Sequence, residues 1–419
     1  MEKGKEIRQA VQNNAAYFVK WTLIALLLGG IGGLVGGAFS RGIGYVTAWR
    51  QEHDWMLYLM PLGGLLIVWL YHVLKQEKHR GTNAIIDAVL HGEDVSIRTA
   101  PLIFFSTLIT HAVGGSAGRE GAALQLGGSI GSVLGRTLKL DEKDRRVATM
   151  CGMAAVFSAL FGTPVAATVF CMEVFSIGIL YYAALVPCIF ASFLGVGIAG
   201  WMGCEPEAFA VTMVSGIELR TVLLMAVFGI CCALVSIALC ETLHKTDHIL
   251  KKIFPNPYIR VVAASVLVIG ITLLSGTRIY NGSSMQLIEE GMLGEAPWYA
   301  MILKLLLTAI TLGGGFKGGE IVPTLCIGAV LGGVFGPLVG LPASMCAACG
   351  MVGLFAGATN CPLASLLIAL EMFGGEGLPY FAIVIAVSFV LSGYYGLYAS
   401  QRFAYSKTKN EFVNRLSTK

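Results

Sequence analysis

Charged residues are scarce in this sequence, and no long polar stretch interrupts it. Of its 419 residues, 13% are Asp, Glu, Lys or Arg and 56% are hydrophobic, and the mean hydropathy is +0.74. Soluble domains carry about twice that charged fraction. The composition therefore excludes a sizeable soluble domain and predicts one membrane domain. The net charge of +4 comes from the two ends and gives no support for nucleic-acid binding.

A cleavable signal peptide is also missing, because the first apolar run is too long and no small-residue cleavage site precedes a soluble domain. Runs long enough to cross a hydrocarbon core of about 30 Å recur instead, with examples at 22–40, 56–73, 179–201, 222–240 and 381–398. Both ends are basic, through Lys3, Lys5, Arg8, Lys407, Lys409, Arg415 and Lys419. The positive-inside rule then predicts a multi-pass cell-membrane protein with both termini in the cytoplasm.

Metal-binding patterns are incomplete. Cys346 and Cys349 have CxxC spacing, but no second pair with polar surroundings accompanies them. Most of the eleven cysteines lie in apolar runs, where cysteine behaves as a small buried hydrophobe. His244 and His248 share a helical face, but that motif also stands alone and is typical of a solvated helix end. Structural packing is favoured over a metal or redox site, and no cofactor or metal is predicted.

The clearest pattern that is present is an internal repeat. Residues 151–175 align without gaps on residues 349–373, and two Gly-rich segments beginning at Gly114 and Gly313 lie just upstream of them. The repeat divides the chain into a first half, 21–203, and a second half, 221–402. A polar linker, 204–220, joins the halves, and 1–20 and 403–419 are cytoplasmic ends.

Gly-rich breaks at matching places in two halves are the pattern expected at a transporter site near the bilayer midplane. Non-helical backbone at that depth is tolerated only where it is buried or lines a wet cavity. A helix that begins there presents unpaired N–H groups, which favour an anion. Close helix packing is the alternative, and it explains the four-residue spacing of Gly127, Gly131 and Gly135.

Ionisable residues adjoin both breaks: Arg119 and Glu120 in the first half, Glu320 in the second. Five segments here resemble motifs of the CLC family of anion channels and transporters. They are GTNAI at 81–85, GREG at 118–121, FGTPVAATVFCMEVF at 161–175, GGEIVP at 318–323 and GYYGLY at 393–398. The resemblance covers about residues 21–402. It implies an all-α membrane protein built as an inverted repeat with many tilted and half-membrane helices.

The resemblance implies that Glu120 is the gating and proton-coupling residue. Its carboxylate would occupy the anion pathway when ionised and leave it when protonated. A purely structural Arg119–Glu120 pair is the alternative, but adjacent residues on a helix do not face each other. Glu320 would contribute to selectivity and proton transfer, unless it forms a pore-mouth salt bridge with Arg119 or Lys317.

The same resemblance implies the anion's hydrogen-bond donors. Tyr398 matches a pore tyrosine, with an interfacial belt residue as the alternative. Thr82 matches an inner-gate serine, with an ordinary helix cap as the alternative. The main-chain donors are expected at helix starts, at Gly121, Ala122, Ala123, Ile321 and Val322. The family also implies a homodimer, and the partners would be fluoride or chloride, protons and membrane lipid.

Departures from the chloride-type pattern indicate which branch the chain resembles. Ala122 stands where chloride-type members have proline, and Val174 stands where exchangers have an inner proton-relay glutamate. Glu320 stands where chloride-type members have an apolar residue. All three features resemble the bacterial fluoride/proton antiporter branch, although that branch commonly has threonine at the position of Val322. The sequence therefore predicts proton-coupled fluoride export.

Other functions remain open at this point. Within transport, the alternative is a chloride/proton exchanger or a proton-uncoupled chloride channel. An intramembrane hydrolase could be built from Ser116 and His111, but no orienting carboxylate is evident and the repeat would be unexplained. The chain is therefore predicted not to be an enzyme.

Overall fold

The computed structural model describes residues 2–77 and 79–417, and most of them are helical. The first half contains α1 (Glu2–Glu52), α2 (Met60–Val73), α3 (Thr82–His91), α4 (Thr99–Ala112), α5 (Glu120–Thr137), α6 (Glu142–Phe161), α7 (Pro164–Glu173) and α8 (Leu185–Trp201). The second half contains α9 (Leu219–Ile253), α10 (Pro257–Ser275), α11 (Met285–Leu293), α12 (Ala300–Gly314), α13 (Ile321–Val339), α14 (Ala343–Thr359), α15 (Pro362–Phe373) and α16 (Leu378–Leu391). The strands are β1 (Ser176–Ile177), β2 (Arg402–Tyr405) and β3 (Phe412–Leu416).

Some helices are long enough to cross a membrane, and others are too short. Six segments in the described ranges are long and apolar enough to cross a membrane: Lys5–Glu52, Asp54–Val73, Tyr182–Trp201, Leu219–Ile253, Pro257–Ser275 and Ile321–Val339. The ten residues of α7 rise only about 15 Å, half of a typical hydrocarbon core. Large apolar side chains such as Trp201, Leu274 and Leu338 point outward, as lipid contact requires. The predicted membrane fold with half-membrane helices is confirmed.

The two halves repeat one packing arrangement. The order α4, α5, α6, α7 recurs as α12, α13, α14, α15, and the crossings of α5 on α6 and of α13 on α14 match. A Cβ added to Gly127 would lie 2.2 Å from the Gly152 carbonyl oxygen. A Cβ added to Gly328 would lie 2.4 Å from the Gly350 oxygen. Gly127 and Gly328 therefore serve close helix packing at equivalent places in the two halves.

Two carboxylates tie the halves together reciprocally. The Glu173 carboxylate, at the end of α7, accepts hydrogen bonds from the amides of Leu363 (3.2 Å) and Ala364 (2.9 Å) in the first turn of α15. The Glu371 carboxylate on α15 accepts from the first turn of α7, at 3.0 and 2.8 Å. Each half thus supplies a negative charge to a helix N-terminus of the other half, where it is stabilising. The repeat of Glu173 as Glu371 has a structural cause.

Replacing Glu173 with alanine is expected to destabilise the fold. Two N–H groups would lose a charged acceptor, and hydrogen bonds to charged groups contribute about 1.5–3 kcal/mol each, so a loss of about 3–6 kcal/mol is expected. Thermal unfolding in detergent measures this loss. Glu376→Ala, at an exposed glutamate on the loop after α15, is the matched control. An unfolding midpoint for Glu173→Ala equal to that of the control would contradict the capping role.

The C-terminal end is folded rather than loose. Strand β2 pairs in parallel with β1 and antiparallel with β3, and the Lys407 ammonium donates to Asn360 Oδ1 (2.5 Å) and to the Phe389 carbonyl (2.7 Å). The predicted basic end at 403–419 therefore contains regular structure in its described part, and β2 crosses the predicted boundary at 402/403. Lys419, counted among the basic residues of that tail, lies outside the described residues.

Helix limits in the structure do not follow two of the ranges drawn from the sequence. α1 is continuous from Glu2 to Glu52, so no break separates residues 2–20 from the first half. The apolar run 381–398 is not one helix, because α16 ends at Leu391 and irregular backbone carries Tyr398. That irregular segment is what brings Tyr398 inward.

Candidate functional site

The two Gly-rich breaks meet at the centre of the molecule. Gly118 and Gly319 form an antiparallel bridge, in which each amide donates to the other residue's carbonyl at 2.7 Å. A Cβ added to Gly319 would lie 2.5 Å from the Gly121 nitrogen, so no larger residue fits there. Because α5 and α13 begin immediately after this bridge, the N-termini of two helices from opposite halves lie side by side.

Main-chain donors are available at both helix starts. In the described part of the chain, the amides of Gly121, Ala122, Ile321 and Val322 have no hydrogen-bond acceptor. Ala123 was predicted to be a donor, but its amide bonds to the Arg119 carbonyl at 2.9 Å, inside the first turn of α5. That prediction is wrong because the fourth residue of the helix already has an acceptor. The remaining unpaired amides are suited to hold an anion.

Glu120 is the first residue of α5, and its side chain is fully buried. One carboxylate oxygen accepts from the Arg119 amide (3.1 Å), and the other lies 3.4 Å from Arg119 Nε. Adjacent residues within a helix do not face each other, but Arg119 is the N-cap of α5 and lies outside the helix. Its side chain can therefore reach the Glu120 carboxylate. The pair is nevertheless loose, and a second guanidinium nitrogen of Arg119 contacts the Glu207 carboxylate.

Glu320 directly precedes α13 and is half-buried. Its carboxylate lies against Gly121, where an added Cβ would come within 3.2 Å of Oε2. The predicted alternative of a salt bridge to Arg119 or Lys317 is wrong, because among the described residues no ion pair involves Glu320. Arg119 is taken by two other carboxylates, and the Lys317 ammonium lies over the ring of Tyr71 at 4.6 Å. Glu320 therefore places an uncompensated carboxylate beside the start of α5.

Two cavities meet at Glu320. The larger is a vestibule of about 850 Å³, whose lining includes Leu397 and Ala399 shortly before β2. Basic and imidazole side chains line much of it: His79, Arg80, His244, Lys245, His248, Lys251 and Lys317. His244 and His248, predicted to lie at a solvated helix end, line this vestibule, and His248 is exposed. The smaller cavity, about 150 Å³, leads inward past Glu320 to Thr82 and Tyr398.

Hydroxyl groups lie at the inner end of the smaller cavity. Tyr398 is buried, so it is not an interfacial belt residue, and its hydroxyl has no hydrogen-bond partner among the described residues. A buried hydroxyl without a partner is costly, which points to a ligand or water that it serves. The Thr82 hydroxyl lies 3.4 Å from the Gly121 carbonyl and caps no helix, because Gly81 is the N-cap of α3.

Comparison with known proteins decides the family at this point. Residues 63–393 match the family described as voltage gated chloride channel. The chain belongs to the CLC family. It is 33% identical over 399 residues to a chloride/fluoride channel protein of Pseudomonas syringae pv. tomato, covering 93% of this chain and 88% of the relative. Its identity to the H(+)/Cl(-) exchange transporter ClcA of Yersinia pestis is 25%, with coverages of 88% and 84%.

Solved CLC structures share the fold. The crystal structure of a CLC-type fluoride/proton antiporter superposes with a TM-score of 0.88 at 33% identity, covering 91% of this chain and 98% of that one. A slow cyanobacterial Cl-/H+ antiporter superposes with a TM-score of 0.77 at 19% identity, covering 89% and 94%. The second likeness bears on the fold alone, and the first covers nearly the whole of both chains.

The position of the exchangers' relay glutamate carries no carboxylate in this CLC chain. Val174 is buried at the end of α7, and its carbonyl accepts from Gln401 Nε2 at 2.9 Å. Glu173, next to it, directs its carboxylate to the amides of α15 rather than toward Tyr398. Neither Val174 nor Glu173 therefore presents a free carboxylate at this position.

Three side chains of the site were not identified from the sequence. Gln125 Nε2 donates to the Gly121 carbonyl (3.2 Å) and to the Thr82 hydroxyl (3.3 Å), and its place one turn after Gly121 was a usable signal. Lys304 is fully buried and donates to four oxygen atoms. Lys304 could also have been singled out from the sequence, because it is the one charged residue in an apolar run. Glu207, in the polar linker, had no local signal.

The pairing that a hydrolase would need is not formed in the described chain. Ser116 Oγ lies 3.0 Å from both Thr308 Oγ1 and Lys304 Nζ, and His111 Nδ1 lies 3.1 Å from the Thr107 carbonyl. Ser116 and His111 therefore have other partners. Within the same ranges, no group of three or more His, Cys, Asp or Glu residues is placed to hold a metal ion.

Proposed function

We propose that this CLC protein is a proton-coupled antiporter that exports fluoride from the cytoplasm in exchange for protons. One observation supports the proposal most strongly. Glu120 from the first half and Glu320 from the second half lie together at the N-termini of α5 and α13, where main-chain amides are unpaired. Embedded ionisable residues are costly and occur where function requires them. Glu120 is fully buried at the start of α5, and Glu320 lines both the vestibule and the smaller cavity.

The transport cycle follows from competition for the same donors. Ionised Glu120 is stabilised by the N-terminal end of α5, and an arriving anion is attracted to the same positive end. Protonation of Glu120 removes its charge, so its carboxyl leaves the donors and the anion takes its place. Gly121, Ala122, Ile321 and Val322 then bind the anion through their amides, and Tyr398 and Thr82 bind it through their hydroxyls. The proton travels on Glu120 in the opposite direction.

The fluoride preference is supported by Glu320. A carboxylate beside an anion route repels chloride, whereas fluoride can share a proton with it. The 33% identity to a chloride/fluoride channel protein and to a fluoride/proton antiporter also supports fluoride. Val322 offers no hydroxyl, which favours the second candidate, a chloride/proton exchanger or an uncoupled chloride channel.

Fluoride and chloride efflux from proteoliposomes, recorded side by side with internal pH, tests the proposal. We expect fluoride efflux to exceed chloride efflux and to be accompanied by proton uptake, because coupling requires one carboxyl to serve both ions. Protein-free liposomes provide the leak control. Chloride efflux equal to or faster than fluoride efflux would leave the second candidate standing.

We further propose a homodimer in the cell membrane, with both termini cytoplasmic and with halves at 21–203 and 221–402. The exposed apolar faces of α8 and α16, which carry Phe193 and Leu391, support a dimer surface. Ala399 lines the vestibule three residues before β2, which supports a common cytoplasmic side for the vestibule and the C-terminus. Subunit counting in single liposomes and thiol labelling of each terminus from both sides test these two points.

A further inference from the structure

We propose that Glu207 is a positioning residue of the gate, which holds Arg119 and thereby controls how firmly ionised Glu120 is retained in its closed position. This inference deepens the proposed function and rests on it for the role of Glu120. It starts from three side chains that form one cluster. The Arg119 guanidinium is mostly buried, and its two ion-pair partners are the Glu207 and Glu120 carboxylates.

The two ion pairs of Arg119 are unequal. A terminal nitrogen of the guanidinium contacts the Glu207 carboxylate closely, whereas Nε lies 3.4 Å from Glu120 Oε1. A guanidinium offers five N–H donors in a rigid fork, so the direction in which one edge is held determines how well the other edge can bond. Glu207 therefore draws Arg119 toward the linker and leaves Glu120 with a long contact. A gating carboxylate must be held loosely if an anion is to displace it.

The backbone around Glu207 is fixed by both halves of the molecule. The Glu207 amide donates to the carbonyl of Phe161 at the end of α6, at 3.3 Å. Pro206 packs on Gly162, where an added Cβ would lie 2.5 Å from Pro206 Cα. The amide of Phe209 donates to the Met372 carbonyl on α15 at 3.1 Å. The linker is thus anchored without the carboxylate, so an anchoring role alone does not account for a buried charge at Glu207.

Removal of the Glu207 charge would leave Arg119 with one carboxylate. Because an unpaired buried charge is strongly unfavourable, the guanidinium would then close on Glu120. The ionised form of Glu120 would be stabilised in the closed position, and exchange would need a higher proton concentration. Glu207→Gln is therefore expected to slow coupled anion export at neutral pH about tenfold. The pH–rate profile is expected to move to lower pH by about one unit, as for a carboxylate that gains an arginine partner.

Other charged or titratable groups surround the cluster: Glu320 and Lys317 before α13, His111 on α4, Lys304 on α12, Arg50 on α1 and Tyr398. None of these forms an ion pair with Glu207 in the described chain. Their effects are present in both wild type and Glu207→Gln, so they cancel when the two pH profiles are compared. The difference between the profiles reports on Glu207 alone.

The experiment uses full-length protein in liposomes, with fluoride efflux and proton uptake measured from pH 5 to 8. Glu205→Gln is the matched control, because Glu205 is an exposed carboxylate two residues away on the same linker. The expected result is an acid shift for Glu207→Gln and no shift for Glu205→Gln. In the Glu120→Gln background, Glu207→Gln should change the residual anion flux by less than twofold, because it acts through Glu120.

The outcomes separate this proposal from the proposed function. If Glu120→Gln abolishes proton coupling but Glu207→Gln has the wild-type pH profile, only the role of Glu207 is overturned. If Glu120→Gln keeps full coupling, the proposed function itself fails. Should Glu207→Gln not fold, Glu207→Asp keeps the charge on a shorter side chain and is expected to give a smaller acid shift. A folded Glu207→Asp with an unshifted profile would then overturn the proposal.

Discussion

Replacing Glu120 with glutamine is expected to abolish proton-coupled transport. Glutamine fills the same space at the start of α5 but can neither take up a proton nor compete with an anion as a charge. Positioned acid–base groups contribute about 100-fold to 10,000-fold to proton transfer, so the coupled proton flux should fall on the order of 100-fold or more. The variant would then be either inactive or a passive anion conductor, depending on how the neutral side chain leaves the route.

Simultaneous recording of fluoride efflux and proton movement measures this effect. Glu376→Gln, at an exposed glutamate far from the cavities, is the control for loss of a carboxylate as such. If Glu120→Gln still moved protons against their gradient with the wild-type number of protons per anion, Glu120 would not be the coupling residue. The burial of this carboxylate would then have to be explained by its pair with Arg119.

Replacing Glu320 with glutamine is expected to raise chloride flux relative to fluoride and to slow coupled fluoride export. Chloride sheds its water more easily than fluoride, so a site made of N–H and O–H donors would by itself favour chloride. Selectivity against it needs a repulsive element. The carboxylate beside Gly121, without an ion-pair partner in the described chain, supplies that element.

The size of the effect follows from Coulomb's law. Two like charges about 4 Å apart repel by about 4 kcal/mol at an effective dielectric constant near 20, and about 1.4 kcal/mol corresponds to a factor of ten. Allowing for partial solvation of the half-buried Glu320, the chloride-to-fluoride flux ratio should rise on the order of tenfold. Fluoride offsets the repulsion by sharing a proton with the carboxylate, so its coupled export should fall when the carboxylate is lost.

Glu320→Asp, which keeps the charge, is the conservative comparison and should retain most of the fluoride preference. Val322→Thr, which adds a hydroxyl at the second residue of α13, should be tolerated or should increase turnover. An unchanged chloride-to-fluoride ratio in Glu320→Gln would show that selectivity resides in the amides and hydroxyls instead. The measurement is the same paired efflux assay, carried out at matched protein-to-lipid ratios.

The sequence by itself determined the class, the repeat and the positions of the two helix starts at the Gly-rich breaks. A composition with little charge forces the chain into a membrane, whatever its tertiary structure. The ungapped match of 151–175 with 349–373 required two similar halves, and Glu173 and Glu371 have equivalent contacts as a result. Glycines beside embedded charges located the helix starts at Glu120 and Ile321, because few other arrangements satisfy irregular backbone in a membrane.

Only the tertiary structure decided which charges are paired. Repeat symmetry offered Glu320 as an alternative partner of Arg119. The two partners are Glu120 and Glu207, and Glu207 approaches from the linker and has no counterpart in the repeat. The strands of the C-terminal hairpin could not be located from the local sequence either. Strand β2 pairs with the two-residue strand β1, which lies more than 200 positions earlier in the chain. The repeat pattern is local in sequence and could be read from it. Contacts such as Arg119–Glu207 depend on where distant segments meet, and only the fold determines that.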